Sequence, residues 1–242
     1  MRGNDMNEPV TRTFLVVDVE KSSDRENEEL PQLRRELYSM LHKAMEKAGL
    51  LGGRCVTEDR GDGVLLIADA GVLEVTPMAQ MLIDELARYN ATIESETWLR
   101  LRIAVHCGFV HRDARGWSSE ELTRTFRVCD LAEAKAALGA AQRAQAIVIV
   151  SDHVYNTVVK HGYGKLPREK FGELKSNVAW AWVPGYTTPP VPQPVATEEH
   201  EPETPSRPSG VHNSVTGTVG GNVVQARDIG RVDARNYFRD PK

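Results

Sequence analysis

Cysteine is scarce: the 242 residues contain three, Cys55, Cys107 and Cys129. They are odd in number, far apart and form no CxxC pair. This argues against a disulfide framework or a zinc ribbon and suits a reducing cytosol. Charge of one sign is not in excess either. Lys and Arg number 30 and Asp and Glu 34, a net charge of −4, which speaks against a nucleic-acid footprint spread over the surface. No apolar run approaches the roughly 20 residues that a membrane-spanning helix needs. The N-terminal MRGNDMNEPVTR lacks the apolar stretch of a signal peptide. These absences lead us to expect a cytoplasmic protein with neither membrane nor nucleic acid as partner.

What is present is a globular domain with an abrupt change of composition after it. Residues 187–210, TTPPVPQPVATEEHEPETPSRPSG, hold seven of the 13 prolines and no aromatic residue. Such a segment has too little to bury to offset its ordering entropy and reads as an extended, disordered linker. The expected organisation is a disordered N-terminus at 1–10, a domain at 11–186, the linker at 187–210 and a short tail at 211–242.

Periodicity within the domain predicts strands near residues 13–19, 54–57, 64–68, 99–105, 147–150 and 178–183. It predicts helices near 31–50 and 77–89, one from Ser118 or Ser119 to about Leu138, and one at 152–160. The order β-α-β-β-α-β-α-β-α-β implies an α+β fold, a mostly antiparallel sheet with helices on one face. The Asp62-Gly63 pair between two apolar runs marks a hairpin.

Two acids stand out. Asp18 ends the first apolar strand, in TFLVVDVEKSS, and Asp62 occupies the Gly61-Asp62-Gly63 turn. In a β-α-β-β core these two places can adjoin, and two carboxylates there form a hard oxygen site for Mg²⁺ or Mn²⁺ completed by substrate phosphates. Taken singly, each has a plainer reading, as a turn residue or as a cap of the next element. His106 and Cys107 match no metal spacing, and His106 reads as a packed strand histidine. The basic cluster Arg112, Arg115, Arg124 and Arg127 reads as a phosphate-handling or solvated surface.

Four segments in order, DVEKSS, RGDGVLLI, LRIAVHCGFVHRD and TRTFRVCD, resemble the class III nucleotide (adenylyl/guanylyl) cyclase catalytic domain, especially its compact actinobacterial type. The resemblance spans about residues 11–186. It implies a ferredoxin-like core, a head-to-tail homodimer with sites at the dimer interface, and two Mg²⁺ or Mn²⁺ ions per site. Asp18 and Asp62 match the metal-binding aspartates of that family, with the carbonyl of Val19 a further ligand. Arg127 matches its transition-state arginine, supplied by the other subunit. Lys175 resembles the late lysine that holds the triphosphate. Glu58 falls where guanylyl cyclases have a base-reading glutamate and adenylyl cyclases a lysine. A carboxylate there accepts from N1–H and the N2 amine of guanine, which tilts the expected substrate towards GTP. Thr123 stands where the family has a ribose-orienting asparagine, with a hydroxyl of shorter reach.

The tail alternates short apolar and polar residues between Gly and Asn bends, without proline from Val211 to Phe238. That is a cross-β pattern. The segment HNSVTGTVGGNVVQARDIG resembles bacterial amyloid signalling motifs and the animal RHIM core, through Val215, Gly217, Gly221, Val223, Val224, Gln225, Ile229 and Gly230 among others. This resemblance implies recruitment by an NLR-like or other STAND-type receptor with a matching motif, in defence against phage or in programmed cell death. The expected activity is conversion of a nucleoside triphosphate to a 3′,5′-cyclic monophosphate and pyrophosphate. The alternative is a catalytically degenerate adaptor that acts through dimerisation and its amyloid-like tail.

Overall fold

The computed structural model describes residues 8–22, 28, 30–174 and 178–191. Lys175 and the whole tail motif lie outside the described residues. In chain order the elements are β1 (Val10–Val19), α1 (Leu30–Lys47), β2 (Cys55–Asp59), β3 (Gly63–Ala68) and α2 (Val72–Asn90). There follow β4 (Leu101–Asp113), β5 (Gly116–Ser118), α3 (Glu120–Cys129), α4 (Ala132–Ala140), β6 (Ala146–Ser151), α5 (Asp152–Thr157), β7 (Gly172–Glu173) and β8 (Ala179–Trp182). The sheet runs β2-β3-β1-β4-β6-β8-β7, with β5 paired to β4. Every pairing is antiparallel except that of β4 with β6. The fold is therefore the expected mostly antiparallel α+β sheet.

Helices cover both faces of this sheet rather than one. Leu15, Val17 and Val19 of β1 pack with Leu37 and Leu41 of α1, Met78 and Leu82 of α2 and Val154 of α5. Phe14 and Val16 of the same strand pack with Leu122 and Val128 of α3 and Ala134, Ala137 and Leu138 of α4. Strands β3 and β6 are buried at every position, GVLLIA and AIVIVS, as strands covered on both sides must be. Each large apolar side chain withdrawn from water in this way contributes about 1.5–3 kcal/mol.

Two helices depart from the expected pattern. The single helix expected up to Leu138 is broken, because Leu131 takes an extended conformation (φ −54°, ψ 131°) between α3 and α4. The apolar spacing runs on across the break, since both halves face the same side of the sheet, so periodicity gave no warning of it. Helix α2 begins at Val72, with Pro77 inside it. The backbone N–H of Gly71 donates to Glu74 Oε1 at 3.0 Å, building a cap before the proline is reached.

The hairpin turn lies directly on the end of β1. Asp18 pairs with Gly63, and the Val19 N–H donates to the Asp62 carbonyl at 3.2 Å. A Cβ on Gly63 would stand 2.4 Å from the Val17 carbonyl oxygen, backbone that cannot move without opening the sheet. Gly61 is glycine for another reason: its φ is +84° and nothing lies near a Cβ there. We expect Gly63→Ala to destabilise by about 3 kcal/mol or more, and Gly61→Ala by about 1–2 kcal/mol. Thermal melts of the two variants check this, and equal losses would contradict the close approach.

Candidate active site

Asp18 sits between two strands, opposite Gly63 of β3 and opposite Arg102 of β4. Its carboxylate meets the Arg102 guanidinium through Oδ2 and Nη2. The two side chains are 22% and 12% exposed, so the pair is largely withdrawn from water. Burial pushes the Asp18 carboxyl up to about 6, against the opposing pull of Arg102; the nearby charge of Asp62 pushes the same way as burial. Asp62 is exposed and accepts a hydrogen bond from Ser22 Oγ at 2.6 Å. Lys21, beside Ser22, has a φ of +54°, a costly conformation for a residue with a Cβ, within the turn that follows β1.

The two acids are adjacent through the backbone but open to different cavities. Asp18 lines one of about 350 Å³ with Arg102, Phe126, Arg127 and Asp130, on the α3 side of the sheet. Asp62 lines one of about 800 Å³ with Ser22, Arg34, Tyr38 and Gly61, on the α1 side. Among the described residues no group of three His, Cys, Asp or Glu side chains is placed to hold a metal. Two carboxylates with neighbouring main-chain oxygens are nonetheless a hard donor set. Donors of this kind suit a cation that keeps water and takes the remaining ligands from substrate phosphates.

Arg127 is exposed on the last turn of α3 and makes no ion pair with a described residue. It lines the cavity of Asp18 within the same chain. Thr123, one turn earlier and also exposed, donates its hydroxyl to the Ser119 carbonyl at 3.1 Å. Its donor is thus spent on its own helix. Glu58 on β2 accepts from Arg60 Nη2 at 2.7 Å, and the Arg60 guanidinium lies 5.0 Å above the ring of Phe126. A chain of contacts therefore links Glu58 to the cavity that Phe126 and Arg127 line. Arg124 is matched by Glu120 and Glu121, and Arg112 lies over Trp117, whereas neither Arg127 nor the side chain of Arg115 has an ion pair with a described residue. No described residue bears on the expected roles of Lys175 and of the tail.

Helix α3 is registered on the sheet by a buried polar chain that sequence reasoning reduced to a packed histidine. His106 of β4 is 2% exposed; its Nδ1 lies 2.7 Å from Ser151 Oγ and its Nε2 2.5 Å from Glu121 Oε2. A carboxylate only accepts, so Nε2 carries the proton and donates to Glu121, while Nδ1 accepts from the Ser151 hydroxyl. Ser151 Oγ in turn accepts from the Val154 N–H at 3.2 Å, capping α5. Gly108 leaves the space: a Cβ there would lie 2.6 Å from Glu121 Cγ.

Burial lowers the His106 pKa below 6.5, and the hydrogen bond from His106 lowers that of Glu121. Both act in one direction. The unfolded chain takes up a proton at His106 below about pH 6.5 that the folded chain resists, so stability from this group falls with acid. The Glu121 contribution is present above its ordinary 4.5 and is lost below that. We expect the loss of melting temperature between pH 7.5 and 5.5 to be smaller in His106→Gln than in the unaltered chain. An equal loss would show that His106 does not titrate in this way.

Similarity to known proteins follows from this architecture. Neither a protein-family model nor a curated sequence matches the chain. Solved structures do. An adenylate/guanylate cyclase/hydrolase from Silicibacter pomeroyi aligns with a TM-score of 0.54 at 18% identity, over 73% of this chain and 98% of that one. The fold is that of adenylate/guanylate cyclase catalytic domains. The monomeric guanylyl cyclase domain of the RhoGC fusion protein from the aquatic fungus Blastocladiella emersonii aligns at 0.50 and 15% identity, over 74% of this chain and 98% of that one. At these identities the likeness belongs to the backbone of the cyclase-fold domain, and its chemistry has to be argued from side chains. No helix among the described residues is long and apolar enough to cross a membrane.

Proposed function

We propose that this chain is a divalent-metal-dependent nucleotide cyclase that makes a 3′,5′-cyclic monophosphate and pyrophosphate from a nucleoside triphosphate, with GTP preferred. The observation that carries this reading is the placement of Asp18. On a cyclase fold, it lies one residue from the end of β1 against the Gly61-Asp62-Gly63 turn and shares a cavity with the unpaired Arg127. A half-buried carboxylate kept at a high pKa with a free arginine beside it is a costly arrangement of a kind found at functional sites.

Asp18, Asp62 and the Val19 carbonyl would hold the metal. Bound Mg²⁺ or Mn²⁺ would lower the pKa of the ribose 3′-hydroxyl and neutralise phosphate charge. The chain's own residues do the rest. The hydroxyl oxygen attacks the α-phosphorus, its proton passes to solvent water, and the bond to the bridging oxygen of the departing pyrophosphate breaks. Arg127 stabilises the charge that gathers on the α-phosphoryl oxygens, and Lys175 holds the triphosphate. Glu58 accepts from N1–H and N2–H of guanine once Arg60 gives way, and would face an acceptor at N1 of adenine. Purified protein incubated with each of ATP, GTP, CTP and UTP, with Mn²⁺ and with Mg²⁺, tests the reading. Cyclic product should appear first from GTP, and Glu58→Lys should move the preference to ATP. No cyclic product from any nucleotide at high protein concentration would refute it.

A second reading rests on Thr123. Its hydroxyl is already bonded to Ser119 O, which leaves the ribose without a positioned donor. A domain disabled there would serve as a dimerising adaptor. In either reading the tail at 211–242 recruits the domain to an assembly whose receptor carries a matching motif. A peptide of residues 211–238 should then form thioflavin-positive fibres, and no fibres would remove the tail from the proposal.

A further inference from the structure

We propose that Arg102 is an internal counter-ion of Asp18 that sets how tightly a divalent cation binds there. The inference rests on the cyclase reading, and goes beyond it by assigning a role to a residue outside the expected site. Two arginines give the contrast, Arg100 just before β4 and Arg102 within it. Arg100 is fully engaged as a staple: it pairs with Glu20 at 2.8 Å and donates to the carbonyls of Leu138, Ala141 and Ala144 at 2.5, 3.0 and 2.9 Å. Those bonds satisfy main-chain oxygens where α4 ends, a structural task. Arg102, two residues on, has a single carboxylate partner, Asp18, and its Nε–H is buried without an acceptor. It faces the cavity that also holds Arg127 and Asp130.

An arginine so held fills the place of a cation rather than of a brace. Its contact uses Asp18 Oδ2, an oxygen that a metal would need. Guanidinium and dication compete for one carboxylate, and in a site mostly shielded from water their mutual repulsion is weakly screened. A bare divalent ion must therefore displace Arg102 or bind beside it, and both lower its affinity. A cation that arrives with a triphosphate brings the negative charge that offsets this repulsion, and its oxygens offer the unsatisfied Nε–H an acceptor. The chain is thus biased to take metal and nucleotide together.

Direct Mn²⁺ binding to the full-length, nucleotide-free protein at pH 8.5 tests this, by calorimetry or by the loss of the free-ion paramagnetic resonance signal. Arg102→Met, or Arg102→Gln should the first not fold, is expected to bind Mn²⁺ at least tenfold more tightly than the unaltered chain. Arg102→Lys, which keeps the charge, should stay within about threefold. A merely structural arginine would leave affinity unchanged or weaken it on removal, and either result in a folded neutral variant overturns the proposal. Asp18→Asn in the same titration separates the two levels of argument. If it binds Mn²⁺ as the unaltered chain does, the metal is not at Asp18 and the cyclase reading of this site fails. If it loses binding while the neutral Arg102 variants gain none, only the counter-ion role fails.

Discussion

Asp18→Asn is expected to lower cyclic nucleotide formation by a factor on the order of 10²–10³ or more without lowering the melting temperature. The pairing of these two outcomes distinguishes this site from a structural ion pair. Burial pushes the Asp18 carboxyl up to about 6 from an ordinary 3.8, although Arg102 is in contact with it. Burial therefore outweighs the attraction of its partner. The rise means that the fold disfavours the ionised carboxyl relative to its protonated form. Between about pH 4 and 6 the folded chain holds a proton that the unfolded chain has lost, so this group's contribution to stability declines as pH rises and is fully unfavourable above 6. An asparagine carries no such penalty. At pH 8 Asp18→Asn should melt no lower than the unaltered chain, and the difference between the two should shrink towards pH 4. A variant that is inactive and also melts several degrees lower at pH 8 would instead mean that the Asp18–Arg102 pair braces the sheet.

Several parts of this arrangement were legible in the sequence, and for identifiable reasons. The strand ending in Asp18 and the hairpin carrying Asp62 rest on local signals, an apolar run and a Gly-Asp-Gly turn, and the structure sets them side by side at the pairing of Asp18 with Gly63. Helix α1 was readable because Leu33, Leu37, Met40, Leu41 and Ala44 repeat with helical spacing and are all buried. Strands β5 and β7 were missed because three and two residues are too short to show a period. The break before α4 was missed because the residues on either side of it face one core.

The residues that complete the site were hidden for a different reason. Arg102 and Ser22 gain their roles only through the partners that the sheet register and the turn after β1 bring to them, 84 and 40 positions away in sequence. His106 offered a faint signal, a polar residue in the otherwise apolar AVH stretch of β4. Its partners Glu121 and Ser151 are fixed by the packing of α3 and by the cap of α5. Long-range pairing of this kind has no period to read.

Mixing two inactive variants, Asp18→Asn and Arg127→Ala, is expected to restore about a quarter of the activity of the unaltered chain. If subunits exchange freely, half of the dimers are mixed, and each mixed two-fold dimer holds one intact site and one doubly altered one. The expectation depends on whether Arg127 serves its own chain or another. Within one chain it lines the cavity of Asp18. Yet it is exposed, carries no ion pair with any described residue and rides on a helix whose own core contacts end at Val128 and Cys129. An exposed, unpaired guanidinium is free to reach across an interface, and a two-fold dimer that uses it so creates two identical shared sites. Each variant alone must first be shown to be folded and inactive. If the mixture stays as inactive as its components while subunit exchange is demonstrated by light scattering of size-tagged chains, Arg127 acts in the chain that carries it. The cavity it shares there with Asp18 would then be complete within one chain.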